Sequence, residues 1–88
     1  SKATRKRKSS VNIAPVDEPL WEQLRSCRKR LADEQGVPPY VIFHDRTLKE
    51  MVALKPNSLS QLLDVAGVGQ TKLERYGQAF LDAIAAAS

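Results

Sequence analysis

The chain has 88 residues, of which 42% are hydrophobic, and it carries a formal charge of +4. This length accommodates one domain with a single modest core, and no apolar run approaches the ~20 residues of a membrane-spanning helix, so we expect a soluble protein. The single cysteine, Cys27, excludes an internal disulfide, and its apolar surroundings favour a small buried thiol. Because the chain opens on Ser1 rather than on Met, we expect it to be part of a larger protein.

The positive charge is concentrated at the start of the chain. The first ten residues contain no acid and five basic residues: Lys2, Arg5, Lys6, Arg7 and Lys8. Residues 11–88 hold nine Lys or Arg against ten Asp or Glu, a net charge of −1. Residues 1–16 show no apolar periodicity, so we expect a flexible basic linker there and a folded domain over residues 17–88. This linker is either a contact for nucleic acid or a solvated tether, and any DNA affinity of the folded part must come from local clusters of charge.

The first predicted helix runs from Glu18 to Gln35. Asp17 is a suitable N-cap, and Gly36 is a suitable residue to end the helix. One apolar stripe follows steps of four, three and four residues: Leu20, Leu24, Cys27 and Leu31. The middle of the helix is basic, and the spacing places three cations on neighbouring positions of one surface: Arg25, Arg28 and Lys29. This surface is either an ordinary solvated face or a track for the phosphates of a nucleic acid.

The segment Val37–Asp45, with the sequence VPPYVIFHD, carries the chain across the fold between two helices. Pro38 and Pro39 fix φ at about −65° and remove two backbone donors, which predicts an extended turn. The apolar run after them is expected to enter the core: Val41, Ile42 and Phe43. Tyr40 lies between the rigid corner and this anchor. Its ring is therefore either presented outward as a stacking platform for an unpaired base, or half-buried with its hydroxyl in water.

Three more helices are predicted after this crossing. Asp45 is a suitable N-cap for a helix over Arg46–Leu54. The patterns Ser58-x-x-Gln61 and Thr71-x-x-Glu74 each have the form of a capping box and predict the starts of two further helices. Because the connections are short and no strand-like alternation is present, the predicted fold class is all-α, a small compact bundle of four to five helices.

Between the last two helices, the sequence LLDVAGVGQTKLERYG has the form of a helix-hairpin-helix. Gly67 and Gly69 allow left-handed backbone and a tight turn, and the amides at the start of the last helix suit a phosphate, with Lys72 and Arg75 adding charge. The pattern is equally typical of a tight corner that only holds two helices. His44 is the single histidine, and we expect a turn or capping role for it. No nucleophile–base pair, phosphate loop or spaced His/Cys set is present, so we expect no catalysis, cofactor or metal site.

Two stretches together resemble a known family. The sequences LRSCRKRLADEQGVPPYVIFHDRTLKEM and LLDVAGVGQTKLERYG are similar to the HRDC domain at the C-terminus of RecQ-family DNA helicases, over roughly residues 17–86. Ribonuclease D also carries HRDC domains, but the tyrosine-bearing turn and the KLERYG element look more similar to the bacterial RecQ branch. The resemblance implies a compact helical bundle without motor activity that helps to tether single-stranded or partly unwound DNA.

The resemblance also implies site residues and partners. Tyr40 matches the aromatic of the VPPY turn that is associated with single-strand binding in the bacterial domains. Basic positions of the family match Arg25, Arg28 and Lys29. The hairpin supplies a third group of candidate DNA contacts: Gly67, Gly69, Lys72 and Arg75. The implied partners are DNA and the helicase catalytic core of the same chain, for a monomer in the bacterial cytoplasm at the nucleoid. The alternative is a protein-interaction module that docks on the helicase core or on a partner, with DNA contacted only by the basic linker.

Overall fold

The computed structural model describes residues 13–87. Over this part of the chain the backbone forms five α-helices and no strand, and one 3₁₀ turn over Pro15–Asp17 precedes the first helix. The helices are α1 (Glu18–Gln35), α2 (Pro39–Ile42), α3 (Asp45–Leu54), α4 (Leu59–Leu63) and α5 (Gln70–Ala87). The prediction of an all-α bundle of four to five helices is confirmed.

α1 has the predicted bounds, and its two ends are fixed by different contacts. At the C-terminal end Gly36 adopts left-handed backbone with φ of 67°, and its amide donates to the Asp33 carbonyl at 3.2 Å. At the N-terminal end Asp17 occupies the N-cap position, but its side chain makes no capping hydrogen bond. The Asp17 carboxylate instead pairs with the Lys55 ammonium at 3.0 Å, so it ties the start of α1 to the end of α3.

The crossing segment contains a helical turn where the sequence predicted an extended one. Pro38 is extended, with ψ of 151°, as expected for a residue that precedes proline. Pro39 then begins α2, a position that suits proline because the first helical amide needs no acceptor. The helical turn points successive side chains in different directions, so Ile42 and Phe43 are buried while Val41 is exposed. The expectation that Val41 enters the core is therefore wrong.

The starts of the last three helices depart in part from the predicted caps. α3 begins at Asp45 itself, so Asp45 is its first residue and not its N-cap. Ser58 caps α4 as predicted, because its hydroxyl accepts a hydrogen bond from the Gln61 amide at 3.2 Å. The Gln61 side chain, however, accepts from the amide of Asn57 rather than from that of Ser58. α5 begins one residue before Thr71, so the second predicted capping box is wrong.

A single core, to which every helix contributes, includes Phe43 among its most buried members. The Phe43 ring makes edge contacts with two rings of α5, those of Phe80 (centroids 5.1 Å apart) and Tyr76 (6.2 Å). Other fully buried side chains come from the remaining helices: Leu24, Ile42, Leu48, Met51 and Leu62. Because Phe43 directly follows α2, this packing anchors the end of the tyrosine-bearing turn.

The predicted linker is only partly covered by the structure. Residues 1–12, which include the whole basic run, lie outside the described residues. Ile13, near the end of the predicted linker, packs against the core. The division of the chain at residue 16 stays a prediction. Every helix within residues 13–87 is too short or too polar to span a lipid bilayer.

Candidate nucleic-acid interface

Tyr40 projects from the outer side of α2. It is 58% exposed, and its ring lies against the His44 imidazole, with ring centroids 5.9 Å apart and ring planes inclined by 24°. His44 occupies the N-cap position of α3, so the chain just after the turn supports one side of the tyrosine ring. Of the two interpretations that the sequence left open, the structure favours a presented ring over a half-buried one. The exposed part of the ring has the form of a stacking platform.

Six residues line a depression beside this ring, which we name the Tyr40 depression: Arg28, Pro39, Tyr40, His44, Asp45 and Arg46. Reasoning from the sequence did not single out Arg46 and gave His44 only a turn or capping role. Over residues 13–87, no salt bridge engages the Arg46 guanidinium. Both residues could have been identified from their positions in the sequence, because they follow Tyr40 by four and six residues, across the corner between α2 and α3.

Arg28 is largely buried, although it lines the Tyr40 depression. The residue is 9% exposed. Its Nη1 donates to the Phe43 carbonyl oxygen at 3.0 Å, and its Nη2 pairs with the Asp45 carboxylate at 2.7 Å. The expectation that Arg28 shares an exposed surface with the neighbouring cations is therefore wrong. Both terminal nitrogens of its guanidinium are bound to the crossing segment, one to the Phe43 carbonyl oxygen and the other to the Asp45 carboxylate. A contact between Arg28 and a DNA phosphate stays a prediction that this geometry does not favour.

Arg25 and Lys29 are exposed, and each pairs with an acid of its own helix. Arg25 lies 3.4 Å from Glu22, and Lys29 lies 2.9 Å from Asp33. Exposed pairs of this kind contribute only ~0–1 kcal/mol and are screened by salt, so a phosphate can displace the acid. Both cations line a second depression that also includes Pro39. The basic surface of α1 thus adjoins the Tyr40 depression.

The glycine hairpin packs against the start of α3. Gly67 has left-handed backbone with φ of 92°, and a side chain at this position would collide with the Thr47 hydroxyl. Gly69 lies outside the left-handed region, so the expectation of left-handed backbone is correct for Gly67 and wrong for Gly69. A third depression joins Gly67 to His44 and Arg46. The hairpin and the tyrosine turn therefore border one surface.

Lys72 and Arg75 lie at the start of α5 and differ in exposure. Lys72 is half-buried, and its ammonium lies 5.7 Å from the centroid of the Phe43 ring, a cation–π geometry. Arg75 is exposed, and the structure of residues 13–87 shows no salt bridge to it. Neither residue lines any of the three depressions, and Gly69 does not line them either. The structure thus brings together the first two predicted groups and Gly67.

The surface offers groups that suit noncovalent contact with a ligand. No group of three or more His, Cys, Asp or Glu side chains that could hold a metal ion occurs within residues 13–87. The surface instead combines an exposed aromatic ring with one unpaired cation and two cations in exposed, displaceable pairs. An aromatic platform beside cations suits base stacking and phosphate contact.

Comparison with known sequences gives one family and a consistent group of relatives. The model of the HRDC domain family matches residues 17–84. The ATP-dependent DNA helicase RecQ of Bacillus subtilis is 46% identical over 82 residues, which cover 91% of this chain and 14% of that helicase. RecQ of Haemophilus influenzae is 45% identical over 69 residues, 78% of this chain and 11% of the relative. The ATP-dependent DNA helicase UvrD2 of Mycobacterium tuberculosis is 40% identical over 84 residues, 96% of this chain and 12% of the relative. The chain thus spans between 11% and 14% of the length of these curated relatives.

The fold is also similar to that of a solved structure. That structure is the D. radiodurans RecQ HRDC domain 3, with a TM-score of 0.77 and 37% sequence identity. The match covers 80% of this chain and 92% of that domain. The packing of the helices is therefore shared over nearly the full length of the solved domain.

Proposed function

The chain belongs to the HRDC domain family, and we propose that it is the part of a RecQ-type DNA helicase that holds single-stranded or partly unwound DNA through a weak contact of its own. The HRDC domain is a non-catalytic accessory domain of RecQ helicases. ATP hydrolysis and unwinding then belong to the catalytic core of the longer protein, which is the intramolecular partner. We expect the domain to act as a monomer at the bacterial nucleoid, in DNA repair and recombination.

The exposed ring of Tyr40 is the observation that carries this proposal. The Tyr40 side chain is 58% exposed at a short helical turn. This ring is held on one side by His44, and the turn that bears it ends at the buried Phe43. Base–aromatic stacking tolerates any sequence because every base has a π-face. The ring is therefore suited to capture an unpaired base without reading its identity.

Phosphate contacts follow from the cations that border the ring. Arg46 lines the Tyr40 depression without a salt bridge among residues 13–87, so a phosphate contact displaces no acid there. Arg25 and Lys29 lie on the other side, in the depression that shares Pro39. A strand whose base stacks on Tyr40 can place phosphates on both sides of the ring. Further contacts at the hairpin, by Gly67, Gly69, Lys72 and Arg75, stay a prediction.

The test replaces Tyr40 and measures binding of a short single-stranded oligonucleotide at low salt. One stacked base contributes about 1–3 kcal/mol, so we expect Tyr40→Ala to weaken binding by roughly 5- to 150-fold. Tyr40→Phe is the matched control, because it keeps the ring and removes only an exposed hydroxyl. We expect its affinity to remain within about twofold of the original.

An NMR titration of the unmodified chain shows where the DNA binds. Chemical-shift changes centred on Tyr40, His44 and Arg46 would support the proposal. If Tyr40→Ala keeps both its fold and its affinity, base stacking on this ring is excluded.

A second candidate function is docking on the helicase catalytic core of the same chain, with DNA contacted only by the basic residues before the bundle. An apolar groove of about 390 Å³ favours it. The groove lies between the start of α1 and the end of α5, and its lining includes Val16, which is 83% exposed. It shares no residue with the Tyr40 depression. The two functions differ in which part of the chain contacts DNA.

A further inference from the structure

Arg28 connects α1 to the segment that carries Tyr40. Its guanidinium donates to the carbonyl oxygen of Phe43 and pairs with the carboxylate of Asp45, the residues directly before and after His44. One buried side chain of α1 therefore holds both neighbours of the imidazole against which the Tyr40 ring lies. Hydrogen bonds from a charged donor are stronger than those between neutral groups.

We propose that Arg28 is a positioning residue for DNA capture, which holds Tyr40 and His44 in their stacked arrangement while Asp45 serves as its counter-charge. This inference deepens the proposed function and rests on it. Arg28 acts through Tyr40 and does not itself contact DNA.

The need for such a residue follows from the shortness of α2. A helix of four residues cannot persist by its own hydrogen bonds, and Pro38 and Pro39 supply no amide donors. The turn is therefore held by the burial of Phe43 and by Arg28. Without the Arg28 guanidinium, the Phe43 carbonyl loses its buried donor, and the corner at His44 loses its polar connection to α1.

The most decisive test changes Asp45, because a role through net charge and a role in positioning the ring predict opposite effects on DNA binding. The Asp45 side chain is 67% exposed. If only the net charge mattered, Asp45→Asn would remove an acid beside the DNA and strengthen binding. If Arg28 and Asp45 position the ring, the same change weakens binding, and we expect a loss of about two- to fivefold. Asp45→Glu keeps the carboxylate and is expected to retain most of the affinity.

Glu50→Gln is the matched control for charge. Glu50 lies on the same helix and lines the neighbouring depression with Arg46. Removing its charge should leave binding unchanged or strengthen it. If Asp45→Asn bound DNA more tightly than the original chain, as Glu50→Gln does when only charge matters, the positioning role would be overturned.

A measurement without DNA separates this inference from the proposed function. In the free full chain, the contact between the Tyr40 and His44 rings is followed by nuclear Overhauser effects and ring-current shifts. We expect the contact to weaken in Arg28→Met and in Asp45→Asn, and to persist in Arg25→Met, which removes a cation of α1 outside this contact. If the unmodified chain binds no DNA, the proposed function is wrong. The role of Arg28 in positioning Tyr40 and His44 is then tested only by the contact between these two rings. Intact ring contact in Asp45→Asn would contradict that role even if Arg28→Met failed to fold.

Discussion

The thiol of Cys27 lies on the inner side of α1, where 4% of the residue is exposed. Burial away from water raises its pKa above the ordinary value of 9.0, because the charged thiolate is poorly solvated there. Arg30 opposes this shift by favouring the thiolate, whereas Asp82 and Glu34 add to it. The folded chain therefore keeps the thiol protonated at pH values where the unfolded chain ionises.

We expect this difference to make the free energy of unfolding depend on pH in the alkaline range. Below the ordinary pKa of 9.0 both states hold the proton, so the Cys27 contribution is complete. As the pH rises through the folded pKa, that contribution is lost, because the unfolded chain releases the proton first. Urea unfolding at about pH 8 and about pH 10 should show a larger loss of stability for the original chain than for Cys27→Ala. Equal losses would mean that the thiol pKa is the same in both states.

At the scale of the residue, the burial of Arg28 is a feature that could not be predicted from the sequence. Its spacing from Arg25 and Lys29 correctly places three cations close together on α1. The burial of Arg28 depends on its contacts with Phe43 and Asp45, which lie beside it only because the chain turns back across α1. The periodicity of the residues within α1 contains no information about these contacts. The exposure of Tyr40 was one of two alternatives that the sequence left open, although the proline pair and the apolar anchor that flank it are its neighbours in sequence.

At the scale of the element, the helix ends show which features are determined by residues nearby in sequence and which by tertiary packing. Gly36 and Ser58 end or begin their helices as predicted, because each acts on backbone groups within a few residues. The helical turn of α2 was not predicted, because two prolines in succession are equally compatible with an extended corner, and the packing of Phe43 decides between them. The start of α5 was misplaced because Thr71-x-x-Glu74 matches the form of a capping box inside a helix that had already begun.

The hairpin before α5 gives a prediction that distinguishes its two glycines. Gly67→Ala places a Cβ on left-handed backbone and against the Thr47 hydroxyl, so we expect a loss of roughly 2 kcal/mol or more in the free energy of unfolding. Gly69→Ala is the control, because its φ is not in the left-handed region and a Cβ there has open space. We expect it to change stability by less than about 1 kcal/mol. Urea unfolding of both variants measures the difference.

A combined variant identifies the cause of that loss. Adding Thr47→Ala to Gly67→Ala removes the hydroxyl that collides with the new Cβ, so part of the stability should return. The remaining loss reports the backbone strain alone. Similar losses for Gly67→Ala and Gly69→Ala would show that the hairpin does not depend on left-handed backbone at the first glycine.

The candidate surface becomes continuous only in the folded molecule. In the sequence, the candidate residues form three separate groups, on α1, on the crossing segment and on the hairpin. The structure brings the first two groups together with Gly67 around the start of α3, where Arg46 lines the depressions on both sides. Because residues 11–88 carry a net charge of −1, the DNA affinity that we propose for the bundle requires this local arrangement and not an overall basic field.

The division of charge along the chain leads to a prediction for the whole molecule. Deleting Ser1–Ser10 removes five cations. On single strands each phosphate contact contributes about 0.7 to the logarithmic dependence of affinity on salt, so Arg25, Lys29 and Arg46 would give a slope of about 2, and the basic segment would add up to about 3.5. We expect the deleted chain to bind more weakly, with the smaller slope, and to lose most of its remaining affinity on Tyr40→Ala.

The measurement is the affinity for a single-stranded oligonucleotide over a range of salt concentrations. It compares the full chain, the deletion, and the deletion combined with Tyr40→Ala or Tyr40→Phe. Retained binding that depends on the aromatic ring supports capture of DNA by the bundle. Loss of all binding on deletion, with the fold intact, would assign DNA contact to the basic segment and favour docking of the bundle on the helicase core, because base stacking on Tyr40 does not depend on Ser1–Ser10.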